Sequence, residues 1–239
     1  MFFNPVKEAK QLMGNQQKVG AVIVAAGSSR RMGGVDKVFA PLGGKPALTR
    51  VLQAFENCDS VAQIVVAVSK KNLERCRQLI SEEKQPKPIE VCAGGRRRQD
   101  SVAAGLRQLR DCDWVVIHDG ARPLVTKDLI ERGLKAARET GAAAAAVPVT
   151  DTIKVAGTDR IVHQTPPRQN LWAVQTPQVF SFDIIAKAYK QAKGEVTDDA
   201  SLVEQLGYKV KLYMGAYDNI KITTINDLLI AEALQKHGK

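Results

Sequence analysis

Five short runs rich in Val, Ile or Ala, separated by segments of helical periodicity, are the strongest constraint on how this chain folds. The runs are VGAVIVAAG (19–27), IVVAVS (64–69), IEVCAGG (89–95), WVVIHDGARP (114–123) and AAAAAVPV (142–149). Their nearly continuous hydrophobicity is typical of parallel strands that are covered on both faces. Apolar stripes between the runs predict amphipathic helices. We therefore expect an open α/β sheet that binds its ligands beyond the carboxyl ends of the strands.

The pattern changes after the fifth run. Residues 151–180 alternate like a strand around a turn at Gly157 and contain prolines, which predicts a hairpin outside the main sheet. Helical patterns resume at 182–193 and near Asp198, and a strand, KVKLYMG, and a C-terminal helix follow. Since no repeat or low-complexity linker divides the chain, we expect one domain over 18–239. Residues 1–17 lack an apolar signal core and are interpreted as an N-terminal extension.

Charge and cysteine content limit the class of protein. The net charge of +10 suits nucleic acid, anionic lipid or small phosphorylated substrates equally well. However, no apolar run approaches the ~20 residues of a membrane helix, and with only 5% aromatic residues and dispersed cations we expect no nucleic-acid partner. The four cysteines are too scattered for a zinc site. They predict free thiols in a reducing cytoplasm.

The first run leads into AAGSSRRMGGVDK (25–37), which combines small residues with cations. Small side chains let backbone N–H groups approach a ligand, and the charges of Arg30, Arg31 and Lys37 at one strand end suit a polyphosphate. The spacing is neither that of a Walker loop nor that of G-x-G-x-x-G. A glycine turn with solvated cations is the alternative.

The segment AGGRRRQDSV (93–102) repeats this arrangement after the third run. Gly94 and Gly95 permit close backbone approach, and Asp100–Ser101 is a candidate helix start whose hydroxyl remains a hydrogen-bond donor. The Arg96–Arg98 run is equally consistent with a solvated loop.

The segment HDGARP (118–123) ends the fourth run. Asp119 is suited to holding substrate hydroxyls or hydrated Mg²⁺, and Arg122 is suited to phosphate. We interpret His118 as a structural residue rather than a general base, because no Ser or Cys nucleophile constellation accompanies it.

Together these segments resemble a known family. AAGSSRRMGG…DK, GGRRRQDSV, HDGARP, DTIK, PPRQNLWAVQTPQVF, TDDAS and NIKIT occur in the order expected of the 2-C-methyl-D-erythritol 4-phosphate cytidylyltransferases, over residues 18 to 235. The resemblance implies a Rossmann-like, three-layer α/β subunit with a mostly parallel sheet. It also implies a protruding β-hairpin arm at about 151–177, a homodimer with arm exchange, and Mg²⁺ carried mainly by the CTP triphosphate, with no metal-ligand set in the protein.

The resemblance also implies roles for residues at matching positions. Arg31 and Lys37, with Arg30 beside them, would stabilise charge on the α-phosphate, and Lys221 would position the incoming phosphate. The positions expected to hold CTP are Ala25, Ala26, Gly27, Gly95 and Ser101. Arg30 and Gly94, singled out from their segments above, are also expected to bind the nucleotide. Those expected to face methylerythritol phosphate are Asp119, Arg122 and Thr152, and Arg168 and Thr176 of the arm would reach the neighbouring subunit's substrate.

Two positions depart from the family pattern: Asp36 stands where a proline usually precedes the lysine, and Arg96 where relatives often have an acid. The expected reaction is in-line attack of methylerythritol phosphate on the α-phosphorus of CTP, releasing pyrophosphate, with no covalent enzyme intermediate. The alternatives are transfer to ribitol 5-phosphate and, from another class, a basic nucleic-acid-binding protein.

Overall fold

A computed structural model describes residues 17–29, 32, 36–83, 86–191 and 194–237. Arg30, Arg31 and all but the last residue of the 1–17 extension lie outside the described residues, so the predictions made for them are not addressed by the structure. No helix within the described ranges is long and apolar enough to cross a membrane.

A seven-stranded sheet forms the centre of the molecule, in the order β11-β7-β10-β6-β1-β4-β5. Its strands are β1 (Val19–Ala25), β4 (Val61–Val68), β5 (Ile89–Ala93), β6 (Trp114–Asp119), β7 (Ala142–Pro148), β10 (Trp172–Ser181) and β11 (Lys211–Met214). Only β10 runs antiparallel to its neighbours. All five runs predicted as strands lie in this sheet and run parallel to one another, which confirms the predicted α/β class.

Seven helices pack on the sheet or beside it in the described part of the chain. They are α1 (Ala47–Glu56), α2 (Leu73–Glu82), α3 (Arg98–Leu106), α4 (Lys127–Thr140), α5 (Phe182–Gln191), α6 (Asp199–Gln205) and α7 (Ile225–His237). One hydrophobic core joins the sheet to α1, α2 and α4, and a second joins it to α3, α5 and α6. Helices therefore cover both faces of the sheet, as in a three-layer α/β fold.

The segment predicted as a hairpin outside the sheet divides into two parts. The short strands β8 (Val155–Ala156) and β9 (Val162–Gln164) pair only with each other, as expected for an arm. Trp172–Ser181, in contrast, forms β10 and pairs with both β6 and β7. The prediction was wrong for this strand. Its polar residues Gln175, Thr176 and Gln178 are buried and form hydrogen bonds with partners that the sequence pattern does not reveal.

A short hairpin and the packing of the last helix complete the fold. The strands β2 (Pro41–Leu42) and β3 (Lys45–Pro46) form a hairpin before α1. Helix α7 packs through Ala231 against a small core that includes Met32 and Ile222. This core lies beside the segments that carry Lys37 and Lys221, so it anchors both of them.

Candidate active site

The carboxyl ends of β1, β5 and β6 meet at one edge of the sheet because the three strands are parallel. A cleft of about 250 Å³ opens there. Its lining comprises Val24, Ala25, Ala26, Gly27, Ser28, Lys37, Val38, Gly95, Arg96, Arg97, Arg98, Ser101, Asp119, Ala121 and Lys221. The residues predicted to bind a nucleotide thus converge on one concave surface, with the exceptions described below.

Glycines bring the loops after β1 and β5 together in the first cleft. A Cβ atom on Gly94 would lie 2.5 Å from the Cβ of Ala26 and 2.8 Å from the Oγ of Ser101. The backbone N–H of Gly95 donates to the Ser101 Oγ at 3.1 Å, and that hydroxyl lies 3.2 Å from the Arg97 carbonyl, to which it donates. Gly94 therefore lies behind the lining, where it allows the two loops to touch.

Helix α3 begins at Arg98, two residues before the predicted start at Asp100–Ser101. The Asp100 carboxylate accepts a hydrogen bond of 3.1 Å from the backbone N–H of Arg97, so it closes the first turn from within the helix. This earlier start places Arg98 in the first turn, and its side chain lines the cleft.

A second cleft of about 400 Å³ adjoins the first. Its lining comprises Arg98, Asp119, Arg122, Ala144, Val174, Gln175, Thr176, Gln178, Thr197, Asp198, Ala200, Ser201, Glu204, Val210, Leu212 and Lys221. Arg98, Asp119 and Lys221 belong to both clefts. These three side chains therefore form the boundary between two ligand-sized spaces.

Asp119 is the centre of this boundary. Its Oδ1 lies 3.0 Å from the Nε of Arg98, its Oδ2 lies 2.7 Å from the Nζ of Lys221, and the Nε of Arg122 is 4.0 Å from the same Oδ2. Burial alone would raise the pKa of Asp119, but Arg98 and Lys221 outweigh it and hold the pKa far below its ordinary value. The carboxylate is therefore ionised, and the cations around it are held in place before any ligand arrives.

Arg98 has a second acidic partner. Its Nη1 lies 2.8 Å from the Oδ2 of Asp199, whose side chain is fully buried at the start of α6. The hydroxyl of Tyr189 donates to the other oxygen of Asp199 at 2.5 Å. Burial raises the pKa of Asp199, and the charge of Arg98 opposes that rise. Arg98 thus spans the distance between two buried carboxylates.

His118 is held by hydrogen bonds at both ring nitrogens. Its Nε2 lies 3.1 Å from the Arg122 carbonyl, and its Nδ1 lies 3.1 Å from the Thr176 Oγ1. Because a carbonyl oxygen only accepts, Nε2 carries the proton and the Thr176 hydroxyl donates to Nδ1. Burial lowers the pKa of His118 to about 4, so the ring is neutral. These contacts agree with the structural interpretation of His118.

Lys221 is positioned by the backbone on either side of it. The Nη1 of Arg122 donates to the Asn219 carbonyl at 2.7 Å, and the backbone N–H of Ile222 donates to the Ala121 carbonyl at 2.8 Å. The side chain of Ile222 is fully buried. The segment before α7 is therefore tied to the loop after β6, which brings the Lys221 ammonium to Asp119.

The structure separates the predicted site residues into distinct groups. The first cleft is lined by Ala25, Ala26, Gly27, Lys37, Gly95, Ser101, Asp119 and Lys221, and the second by Asp119, Arg122, Thr176 and Lys221. Thr152 and Arg168 line neither cleft, and the Nη1 of Arg168 donates to the Thr150 carbonyl at 2.7 Å.

The assignment of Thr176 to a protruding arm was wrong. Thr176 is buried within the central strand β10, and its Oγ1 accepts a hydrogen bond of 3.0 Å from the backbone N–H of Asp119 in the same chain. Its side chain therefore supports the site of its own subunit.

Sequence reasoning singled out neither Arg98 nor Asp199 as a site residue. Each belongs to a segment that carried the family resemblance, GGRRRQDSV and TDDAS, and the acidic pair in the second of these was the available signal. Three adjacent arginines, however, give no indication of which one turns inward. The structure resolves this, since the side chain of Arg98 is only 24% exposed.

The chemistry of the donors argues against a metal cage made by the protein. No group of three or more His, Cys, Asp or Glu side chains in the described ranges is arranged to hold a metal ion. Both oxygens of Asp119 contact cationic side chains. The boundary is thus suited to binding phosphorylated anions rather than a bare cation.

Comparison with known proteins agrees with this geometry. A family model described as 2-C-methyl-D-erythritol 4-phosphate cytidylyltransferase matches residues 19–237. A protein of that name from Dehalococcoides mccartyi is 53% identical over 223 residues, covering 93% of this chain and 98% of that protein. Another from Caldanaerobacter subterraneus is 48% identical over 220 residues, covering 90% and 97%.

Solved structures give the same result. The crystal structure of 4-diphosphocytidyl-2C-methyl-D-erythritol synthase from Anaerococcus prevotii matches with a TM-score of 0.83 and 30% identity, covering 93% of this chain and 100% of that one. A 2-C-methyl-D-erythritol 4-phosphate cytidylyltransferase from Thermus thermophilus matches with a TM-score of 0.74 and 33% identity, covering 92% and 100%. The sequence, the fold and the paired clefts therefore lead to one conclusion: the chain belongs to the 2-C-methyl-D-erythritol 4-phosphate cytidylyltransferase family.

Proposed function

We propose that this chain transfers CMP from CTP to 2-C-methyl-D-erythritol 4-phosphate, with CTP in the first cleft and the polyol phosphate in the second. The observation that carries this proposal is that the two clefts meet at Asp119, Arg98 and Lys221. A group-transfer reaction needs its two substrates side by side, and two anions come together only where cations offset their repulsion.

The first cleft has the features that a nucleotide requires. The small residues Ala25, Ala26 and Gly27 leave space for phosphates beyond β1, and Lys37 supplies a positive charge to the same space. Gly95 and Ser101 also line this cleft, and these small residues leave space for the flat cytosine ring. Arg30 and Arg31 would contribute further charge from the loop between Gly27 and Lys37.

The second cleft has the features that a polyol phosphate requires. Asp119 remains ionised, and each carboxylate oxygen has lone pairs left for substrate hydroxyls after its contacts with Arg98 and Lys221. Arg122 and Lys221 are cations suited to the phosphate group, and Thr176 keeps the Asp119 backbone in position. The polar side chains of Gln175 and Ser201 extend the wall.

The reaction follows from this juxtaposition. A phosphate oxygen of the polyol phosphate attacks the α-phosphorus of CTP, the bond between the α-phosphorus and the bridging oxygen breaks, and pyrophosphate leaves with that electron pair. No proton transfer or protein nucleophile is required. The protein contributes position and positive charge, principally from Lys37 and Lys221, with Arg31 reinforcing them.

We further propose that Mg²⁺ arrives on the triphosphate of CTP. The carboxylate nearest to the boundary, Asp119, contacts cations through both oxygens, which supports a metal held by phosphate oxygens. When bound, Mg²⁺ would neutralise part of the triphosphate charge.

The arm is proposed to make a homodimer. Its strands expose Val155 (45%) and Val162 (52%), and the first residue of β10, Trp172, is also exposed (40%). An isolated two-stranded ribbon is marginally stable and gains stability by packing its apolar side chains on a partner. Arg168, which lines neither cleft of its own chain, would then reach the partner's substrate.

Free thiols at all four cysteines support a reducing, cytoplasmic setting for the enzyme.

The deciding experiment measures pyrophosphate release from CTP with either 2-C-methyl-D-erythritol 4-phosphate or ribitol 5-phosphate as the acceptor. We expect turnover with the first acceptor and little with the second. A kcat/KM that favours ribitol 5-phosphate would refute the proposed acceptor, whereas release with neither acceptor would refute the activity. Sedimentation of the active enzyme tests the dimer separately.

A further inference from the structure

The carboxylate of Asp36 joins three segments of the chain next to the first cleft. Its Oδ1 accepts hydrogen bonds from the Ser29 hydroxyl at 3.3 Å and from the Val38 backbone N–H at 3.4 Å. Its Oδ2 accepts a hydrogen bond of 2.6 Å from the side-chain amide of Asn72, a buried residue just before α2. One side chain therefore connects three segments: the residues after β1, the turn at 36–39 and the start of α2.

These contacts determine where Lys37 can be. The backbone N–H of Lys37 donates to the same Ser29 hydroxyl at 3.2 Å, so both Asp36 and Lys37 are held to Ser29. On the other side, Val38 and Phe39 are buried in the core, and the Val38 carbonyl accepts from the Leu48 backbone N–H at 2.8 Å. With the backbone held on both sides, the Lys37 side chain is directed along the wall of the first cleft.

Ser29 is itself in an uncommon conformation. Its φ of 49° lies in the left-handed region, which is strained for a residue other than glycine. Such a conformation persists when surrounding contacts over-determine it. The Ser29 hydroxyl, which donates to Asp36 and accepts from Lys37, supplies two such contacts.

A carboxylate at this position opposes the binding of a triphosphate. Asp36 adds a negative charge beside a cleft that must attract an anion, and its partner Asn72 is neutral and leaves that charge in place. A proline, which the family pattern usually has here, fixes the backbone without any charge. The hydrogen bonds of Asp36 provide the equivalent restraint in this chain.

We propose that Asp36, held by Asn72, is a positioning residue that fixes Lys37 in the nucleotide cleft. Asp36 does not touch the reacting atoms, and it acts on the reaction through Lys37. This role rests on the proposed function, in which Lys37 stabilises charge on the α-phosphate.

The test first removes Asp36 and then exchanges the two partners. Asp36→Ala removes the acceptor that Ser29, Val38 and Asn72 share, whereas asparagine alone would keep one, because the Asn72 amide can rotate and pair with it. We expect kcat to fall about 10- to 100-fold, the cost of a small misplacement of a catalytic group. The reciprocal variant Asp36→Asn/Asn72→Asp restores every donor–acceptor pair with the same total charge, and we expect it to recover most of kcat.

Two controls separate positioning from charge and from folding. Asp111→Asn removes an equal charge from an exposed residue before β6, at the opposite edge of the sheet, and should leave kcat and the KM for CTP unchanged. If charge alone mattered at position 36, Asp36→Ala would lower the KM for CTP and leave kcat unaffected. Thermal unfolding of every variant identifies any loss of folded protein.

The decisive comparison uses a Lys37→Ala background. A residue that acts through Lys37 has nothing to position there, so Asp36→Ala should cause no further loss of kcat. Asp36→Ala with wild-type kcat, an undiminished loss in the Lys37→Ala background, or no recovery in the reciprocal variant would each overturn the proposal. Wild-type turnover by Lys37→Ala alone would instead refute the catalytic assignment of Lys37, which is a separate result.

Discussion

Replacing Arg98 by methionine should destabilise the fold strongly, because it removes the cation that two carboxylates share. Arg98 separates two carboxylates, Asp199 at 2.8 Å and Asp119 at 3.0 Å, and Asp199 is fully buried. At an effective dielectric constant of about 20, the attraction across 2.8 Å is about 6 kcal/mol, which offsets the cost of burying Asp199. Methionine fills a similar volume without charge, so we expect unfolding to become easier by about 3–5 kcal/mol.

The pH dependence of this loss identifies its cause. Burial already raises the pKa of Asp199, and removal of Arg98 would raise it further. A group whose pKa is higher in the folded state stabilises the fold at low pH and loses that contribution as pH rises through the folded-state pKa. The deficit of Arg98→Met should therefore be larger at pH 8 than at pH 5.

Urea denaturation of wild type, Arg98→Met and Arg98→Met/Asp199→Asn at both pH values provides the measurement. The double variant removes the buried charge while keeping an acceptor for the Tyr189 hydroxyl, so it should regain at least about 2 kcal/mol at pH 8 and lose the pH dependence. An Arg98→Met protein within about 1 kcal/mol of wild type at pH 8, or a double variant no more stable than the single one, would refute the reasoning.

Three further changes test other parts of the site. Lys37→Ala should lower kcat by about 10²–10³, the usual cost of losing a donor to a charged transition state, in a pyrophosphate-release assay. Gly94→Ala would place a Cβ 2.5 Å from that of Ala26 and force the β1 and β5 loops apart. At a strain of about 1–3 kcal/mol, its KM for CTP should rise about tenfold, as measured by CTP titration. Trp172→Glu should shift the protein from dimer to monomer in sedimentation velocity, and an unchanged dimer would exclude this surface as the interface.

The sheet could be predicted from the sequence to the extent that its strands are apolar. Residues 64–68 of β4 and 142–147 of β7 are all buried, so their hydrophobic runs were sufficient. The strand character of β10 was predicted, but its place inside the central sheet was not, because Gln178 is a buried polar residue. Its amide donates to the Asp198 carboxylate at 2.8 Å, and its carbonyl accepts from the Ala200 backbone N–H at 3.0 Å. Those partners lie about 20 residues away, and no local pattern marks them.

The site was predictable where a residue type alone indicates its chemistry. Lys37 follows strand β1 and Asp119 ends strand β6, where a cation or a carboxylate is recognisable from sequence, whereas Lys221 was indicated only by the family resemblance. Arg98 and Asp199 depend on each other: either side chain would be unfavourable in its buried position without the other. Such mutual dependence is a property of the folded chain, and a one-dimensional pattern does not contain it.

The arrangement around Asp119 explains how a cleft for two anions is stable without them. Arg98, Arg122 and Lys221 would repel one another if they converged alone, but the Asp119 carboxylate lies within 4.0 Å of a nitrogen of each of them, and Asp199 is a second partner of Arg98. The depressed pKa of Asp119 means that this carboxylate stays ionised and keeps the cations in place at physiological pH. Folding therefore supplies the electrostatic organisation in advance, and substrate phosphates meet oriented charges rather than side chains that must first move.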